Sequence, residues 1–192
     1  RPIRVGEPLD VKVTSSPLAA HPKGSTFSLL TEVSSAGEEV WSATSTMLRR
    51  GKSNGEARAE APVPTLDPET PASATWKLPG DLGRRYGAVS GDRNPIHMHA
   101  LTAKPLGFPA AIAHGMWTKA RALAQLESRL PDSFTTTVRF RKPIFLPARV
   151  EFASEAGPEE TIFAVRDARK QTPHLEGTIR SNPSTAKASN LK

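Results

Sequence analysis

The densest run of residues able to move protons is Tyr86-Gly-Ala-Val-Ser90-Gly91-Asp92-Arg93-Asn94-Pro95-Ile96-His97. Asp92 and His97 lie on either side of an Asn-Pro turn, which stops the chain continuing as helix and can aim both side chains into one space. A carboxylate and an imidazole so placed can share a water. One takes its proton while the other delivers a proton to substrate, which is general acid–base chemistry. The same residue types also serve a structural end, with Asp92 and Asn94 capping a turn and His97 a satisfied polar side chain, and composition alone leaves both readings open. A second element, Ile112-Ala113-His114-Gly115-Met116, opens a longer helical pattern. Glycine at a helix start lets a ligand approach the backbone, where outward N–H groups favour an oxyanion. The alternative is that Gly115 relieves crowding where helix meets sheet and His114 is a first-turn residue.

Other chemistries lack their parts. His97 and His99 form a His-x-His pair with no carboxylate or third histidine at ligand spacing, so no metal is expected. Ser90 lacks the strand–G-x-S-x-G–helix setting of a nucleophile elbow. The absence of cysteine removes thiol nucleophiles, disulfides and thiolate zinc sites. Neither G-x-G-x-x-G nor a P-loop occurs, so no nucleotide cofactor is expected. The chain carries 26 Lys and Arg against 19 Asp and Glu, and residues 81–180 hold 15 against 10. No dense basic run with interleaved aromatics is present, so the surplus suits an anionic small ligand better than nucleic acid. No stretch approaches the roughly 18 apolar residues of a membrane span. The amino end has neither an initiator Met nor a signal-peptide layout, so the location expected is cytoplasmic and the sequence is expected to start inside a longer product.

The elements that must position these residues read as α+β. VKVTSS, STFSLLTEV and EEVWSATSTML carry β-branched and alternating patterns separated by breakers, as in an antiparallel meander over 1–50. Pro62, Pro64, Pro68, Pro71 and Pro79 mark 51–80 as a linker. Leu82, Tyr86 and Val89 share a face of a short helix, and Ile112, Met116, Ala120, Leu123, Ala124 and Leu130 recur at helical spacing. SFTTTVRFRKPIF, ARVEFASE, ETIFAVRDA and PHLEGTIRS then read as four strands. Arg1-Pro2-Ile3 with its following strands parallels Lys142-Pro143-Ile144 with its own, so the two ends look like copies. The first copy would lack its helix and expose an apolar face that must pack on the second unit or on a segment from elsewhere. The tail 181–192 has no apolar pattern and is expected to be disordered.

Taken together, YGAVSGDRNPIHMHALTAKPLGFPAAIAHGM resembles the signature of the MaoC-like dehydratases, the (R)-specific or type 2 enoyl-CoA hydratases. The resemblance implies a hot-dog fold, a long helix wrapped by an antiparallel sheet. It also implies a double hot dog in which 1–50 is the sheet portion of a non-catalytic half, 51–80 the linker and 81–180 the catalytic domain. It assigns Asp92 and His97 as the catalytic pair and Gly115 as oxyanion donor, with Asn94, Ser90 and His114 supporting them. The implied reaction is hydration of trans-2-enoyl thioesters to (3R)-hydroxyacyl thioesters, or the reverse. No cofactor is needed, because coenzyme A or acyl carrier protein is part of the substrate. Arg84, Arg85, Arg139, Arg141 and Lys142 would meet the carrier's phosphates or acidic surface. A homodimer, or association with a segment upstream of Arg1, would complete the site. A hot-dog thioesterase and a non-catalytic thioester-binding module are the alternatives.

Overall fold

β-branched and partly alternating runs in the first fifty residues form an antiparallel sheet. The computed structural model describes residues 1–52, 55 and 63–182, and the chain divides into two units, Arg1–Ala61 and Pro62–Lys192. In the first, β1 (Asp10–Ser15), β2 (Ala19–His21), β3 (Gly24–Ser35) and β4 (Glu38–Arg50) form one antiparallel sheet. β4 pairs with β3, and β1 and β2 both pair with β3 as well. Between β1 and β2 the ladder is broken at Pro17, which has no N–H to donate. There Ser16 N donates to Ser28 O and Ser28 N to Ser16 Oγ, both at 2.8 Å. The register Val11↔Val33↔Trp41 and Val13↔Thr31↔Ala43 places Val11, Val13, Val33 and Trp41 on one face, while Lys12, Glu32 and Ser42 share the other with Leu30 and Leu48. Val11, Val13 and Trp41 are exposed although Val33 between them is buried, so the apolar face expected of this sheet is exposed on its β1 and β4 flanks. The repeat also has a topological counterpart, since β1-β3-β4 and the last three strands of the chain each form a meander after a Pro-Ile pair.

The second unit contains β5 (Ala74–Leu78), α1 (Leu82–Ser90), α2 (Pro95–Met98), α3 (Ala100–Ala103), α4 (Gly115–Gln125), β6 (Phe134–Phe140), β7 (Ala148–Ala156), β8 (Glu160–Asp167) and β9 (Pro173–Ser181). Its five strands lie in the order β5-β7-β8-β9-β6, all antiparallel. One face presents Trp76, Val150, Phe152, Phe163, Val165, Leu175 and Ile179, and Ala122 and Leu126 from α4 and its end join them in a single core. Trp76 stacks on Phe152 with ring centroids 5.6 Å apart and meets Trp117 of α4 edge-on. Burying side chains of this size contributes about 1.5–3 kcal/mol each, which fixes α4 and therefore its first turn. No helix among the described residues is long and apolar enough to cross a membrane.

Four expectations change. The stretch 51–80 is more than a linker, because β5 lies within it, pairs with β7 and buries Trp76 and Leu78. Its prolines flank the strand and spare residues 74–78. Residues 65–70 are tied to the opposite face of the sheet, where Leu66 packs on Ala153 and Ala164 and Arg166 donates to Pro68 O and Thr70 O. On α1 the buried positions are Leu82, Gly83 and Gly87, with Tyr86 half-buried, whereas Val89 is exposed. On α4 the inward face is Thr118, Ala122 and the adjoining Leu126, and Met116, Ala120 and Ala124 are exposed. Alanine on both faces blurs the stripe, and Thr118 hides its polar atom by donating to His114 O. Ile112 and Leu130 lie outside the helix. Ser181 closes β9, and the rest of the expected disordered tail, 183–192, lies outside the described residues.

Candidate active site

Backbone hydrogen bonds bring the two sequence motifs together. The extended segment 111–113 is stitched on both sides, with Ile112 N donating to Ile96 O at 3.0 Å, Ala113 N to Ile144 O at 2.9 Å and Leu146 N to Ala111 O at 2.8 Å. His114 and the start of α4 are thereby held against the loop that carries His97.

That loop is built residue by residue. α1 stops at Gly91, whose φ of 77° is the left-handed cap conformation. Ser90 Oγ donates to Tyr86 O at 3.0 Å and accepts from Asp92 N at 3.2 Å, fixing the backbone at Asp92. Asp92 Oδ1 accepts from Asn94 N at 3.2 Å, and Asn94 Oδ1 caps α2 by accepting from Ile96 N at 3.3 Å, with Pro95 at the first helical position. The capping and chemical readings of Asp92 and Asn94 are therefore compatible. One carboxylate oxygen of Asp92 organises the turn and the other stays available on a half-exposed side chain.

The imidazoles are placed with defined polarity. His97 is buried, and its Nδ1 lies 2.8 Å from Ile112 O. A carbonyl only accepts, so Nδ1 carries the proton and Nε2 presents a lone pair. His114 Nε2 lies 3.0 Å from Asp92 O and 3.7 Å from Asp92 Oδ2, so this nitrogen donates to the carbonyl. The two rings stack with centroids 3.7 Å apart, and the Tyr86 ring meets His114 at 4.9 Å. Burial lowers the pKa of His114 below the usual histidine value and neighbouring His97 adds to this, against the opposing pull of the Asp92 carbonyl and carboxylate. His114 is thus a neutral donor that holds Asp92. Its Nδ1 is buried without a hydrogen-bond partner among the described residues.

Ligand-type atoms of Asp92, His97 and His114 lie within 4.8 Å of one another. The two imidazoles are stacked with planes 25° apart, so their in-plane lone pairs lie in separate, near-parallel planes, a poor arrangement for both to meet one ion about 2.1 Å from each. His99 is not part of the cluster. Its Nδ1 accepts from Leu101 N and caps α3, so the His-x-His pair is two separate structural uses. Gly115 opens α4 directly after His114, and no side chain caps that helix start, leaving first-turn N–H groups without a side-chain acceptor. A Cβ at Gly115 would lie 3.0 Å from the Phe140 ring, so the glycine lets Phe140 lie against the helix start.

The sequence reading missed Gly83 and Gly87. A Cβ at Gly83 would lie 1.9 Å from His97 O, and one at Gly87 would lie 2.9 Å from Asp92 O and 3.1 Å from Met98 Cε. Two glycines one turn apart inside a helix were the available signal, since each lowers helix stability by about 1 kcal/mol relative to alanine and implies close backbone approach. Among the basic residues singled out, Arg84 donates to Met98 O and Arg141 is ion-paired with buried Glu176, so both are structurally occupied.

A sheet carrying one helix, with an Asp-His-His cluster at that helix's start, defines a class, and sequence comparison gives the same class. Residues 58–178 match the profile of the MaoC-like domain, and the chain belongs to that family. It is 36% identical over 180 residues to the 3-hydroxyacyl-thioester dehydratase X of Mycobacterium tuberculosis, an alignment covering 94% of this chain and 64% of the relative. The crystal structure of that M. tuberculosis protein, HtdX, superposes with a TM-score of 0.73 at 35% identity, covering 95% of this chain and 72% of the other. A MaoC-like dehydratase from Phytophthora capsici, 21% identical over 91% of this chain and 64% of its own, shares the fold with a TM-score of 0.68. These likenesses bear out the hot-dog fold.

Proposed function

We propose that the second unit reversibly hydrates trans-2-enoyl thioesters to (3R)-hydroxyacyl thioesters, with Asp92 and His97 as the proton-handling pair. The observation that carries this reading is the placement of the Asp92 carboxylate and the His97 ring in one cluster beside the uncapped start of α4. Water held between the free Asp92 oxygen and His97 Nε2 loses a proton as its oxygen bonds to C3. The same pair returns a proton to C2, and dehydration reverses both steps. Negative charge developing on the thioester oxygen is met by Gly115 N–H, a donor fixed before the reaction begins. His114, Asn94 and Ser90 act on the pair's position and make no contact with reacting atoms.

The relatives' names support the substrate class. One is a 3-hydroxyacyl-thioester dehydratase, and a 3-hydroxybutyryl-CoA dehydratase of Methylorubrum extorquens is 35% identical over 74 residues, 36% of this chain and 47% of the relative. The chemistry calls on side chains and backbone alone, with no cofactor beyond the thioester's own carrier. The apolar flanks that the first unit exposes call for a covering surface, supplied by a second copy or by further chain, and the compartment we assign is the cytoplasm. The test is loss of the conjugated-enoyl absorbance of a trans-2-enoyl-CoA, with free thiol monitored in parallel. Absorbance loss without thiol release, abolished in Asp92→Asn and His97→Ala, is the expected result. Thiol release in the parent, or full turnover in either variant, overturns it.

A further inference from the structure

β6 sends a row of alternate residues onto the core face of its sheet. Phe134 and Val138 of that row pack against the core, and Phe140, the last of it, pairs across the ladder with fully buried Leu175. Phe140 itself lies beyond the core, and it is 48% exposed. The backbone there is fixed, since Phe140 ends the ladder with β9 and the next residue, Arg141, donates its N–H to His174 O at 2.9 Å. What the ring meets is the start of α4. A Cβ at Gly115 would lie 3.0 Å from Phe140 Cε1 and 3.2 Å from Cδ1 and Cζ, so the ring fills the place that a side chain of residue 115 would take. Met116, the next residue of the helix, is 56% exposed. This helix start therefore carries half-bare apolar side chains where a polar cap is the usual companion.

That position has a chemical consequence. A backbone donor facing bulk water is screened, whereas the same donor beside an apolar wall acts more strongly on a developing charge. We propose that Phe140 is a further residue of the substrate site, its ring walling the place of the thioester carbonyl and keeping bulk water from the Gly115 N–H that polarises it. The proposal rests on the hydratase reading above and adds a residue to it. A small or polar side chain at position 140 would leave that N–H wet. Deleting an oxyanion donor outright costs about 10²–10³ in kcat, and loss of the wall leaves the donor in place, so the loss here is smaller, about tenfold. The role asks for apolar bulk and not for an aromatic ring, so leucine serves where alanine does not.

The experiment uses the full chain as parent, Phe140→Ala and Phe140→Leu, each held well below its Tm. Turnover of a trans-2-enoyl-CoA gives kcat and KM. The absorption of trans-cinnamoyl-CoA at saturating protein reports the Gly115 donor, because its conjugated system shifts to the red as its carbonyl is polarised. The expected result for Phe140→Ala is a kcat lowered about tenfold, a KM changed less than about threefold and a smaller red shift of the bound probe, with Phe140→Leu close to the parent in all three. A ring that serves packing alone would lower Tm and leave kcat and the red shift of the folded variant where they were, and that result overturns the proposal. So does a KM rise with kcat retained, or a leucine variant as impaired as the alanine one. A parent that shifts the probe in a ring-dependent way yet hydrates nothing sinks the Asp92/His97 reading and leaves Phe140 standing. A parent that hydrates enoyl-CoA, with the probe equally shifted in all three chains, sinks Phe140 alone. A probe left unshifted by the parent overturns the Gly115 donor and Phe140 with it.

Discussion

Replacement of Gly83 by alanine sets two opposing effects against each other at a single atom. In an unconstrained helix the change favours folding by about 0.8–1 kcal/mol. Here the new Cβ would stand 1.9 Å from His97 O, more than 1 Å short of the 3.0 Å below which real Cβ contacts are essentially never found. The obstacle is backbone, so no rotamer relieves it, and the loop or the helix must shift. Overpacking of this kind costs about 1–3 kcal/mol and sometimes more, and an immovable partner places this site at the upper end. The net expectation is destabilisation of the second unit by about 2 kcal/mol, or roughly 4–8 °C in Tm. Trp76 and Trp117 report on that unit's core, so the unfolding assay is tryptophan fluorescence in a Trp41→Phe background that silences the first unit. Gly87→Ala should cost less, because one of its two near contacts is the flexible end of Met98, and Gly115→Ala least, because the half-exposed Phe140 ring can swing aside. Enoyl turnover well below Tm should fall with Gly83→Ala as His97 is displaced. A Gly83→Ala chain as stable as its parent would refute the claim that this glycine sets the distance between α1 and the histidine loop.

Three further outcomes are expected. Phe152→Ala removes a fully buried ring that touches Trp76 and Phe163, and should destabilise the second unit by about 3–5 kcal/mol in a urea titration, a loss under 1 kcal/mol being incompatible with the packing described. Asn94→Ala deletes the α2 cap and should lower stability by about 1 kcal/mol while Asn94→Asp retains it, so equal losses in the two would contradict the capping role. His114 has a folded pKa below its unfolded value near 6.5, so the neutral ring favours the folded state and the unfolded chain binds the proton more readily. Its contribution is complete above pH 6.5 and is lost as pH falls through that value toward the folded pKa. Urea midpoints from pH 5 to 7.5 should therefore slope less in His114→Gln than in the parent, and identical slopes would be evidence against burial of a neutral ring.

The legible parts of this protein are those where one residue type has one use. Alternation over VKVTSS and STFSLLTEV forecast β1 and β3, and the four later β-runs forecast β6 to β9, because β-branched residues on a half-buried sheet leave a period of two. Asp92, His97 and Gly115 stood out because an acid, an imidazole and a helix-opening glycine are each unusual where they occur. β5 escaped because Pro71 and Pro79 flank a strand of only five residues, shorter than the breaker pattern around it. The inward face of α4 escaped because Thr118 is polar in sequence and satisfied in structure, while Met116 is apolar in sequence and exposed.

The geometry that gives the candidate site its direction was less visible, because much of it is carried by backbone atoms. His97 takes its tautomer from Ile112 O, and Asp92 is held through its own carbonyl by His114. Both acceptors are indifferent to the side chains of the residues that supply them. A carbonyl fixed by the stitching of 111–113 to 96 and to 144–146 can hold the ring only with Nδ1 as donor, which leaves Nε2 as the nitrogen that faces away from that bond. The polarity of the proposed acid–base pair is therefore set by the strand-like pairing of three consecutive residues, and a substitution at Ile112 that keeps its burial should leave that polarity intact. The glycines of α1 belong to the same logic. They contribute no group to the chemistry, yet their missing Cβ atoms let the helix approach the carbonyls of His97 and Asp92 closely enough for the loop to hold its shape.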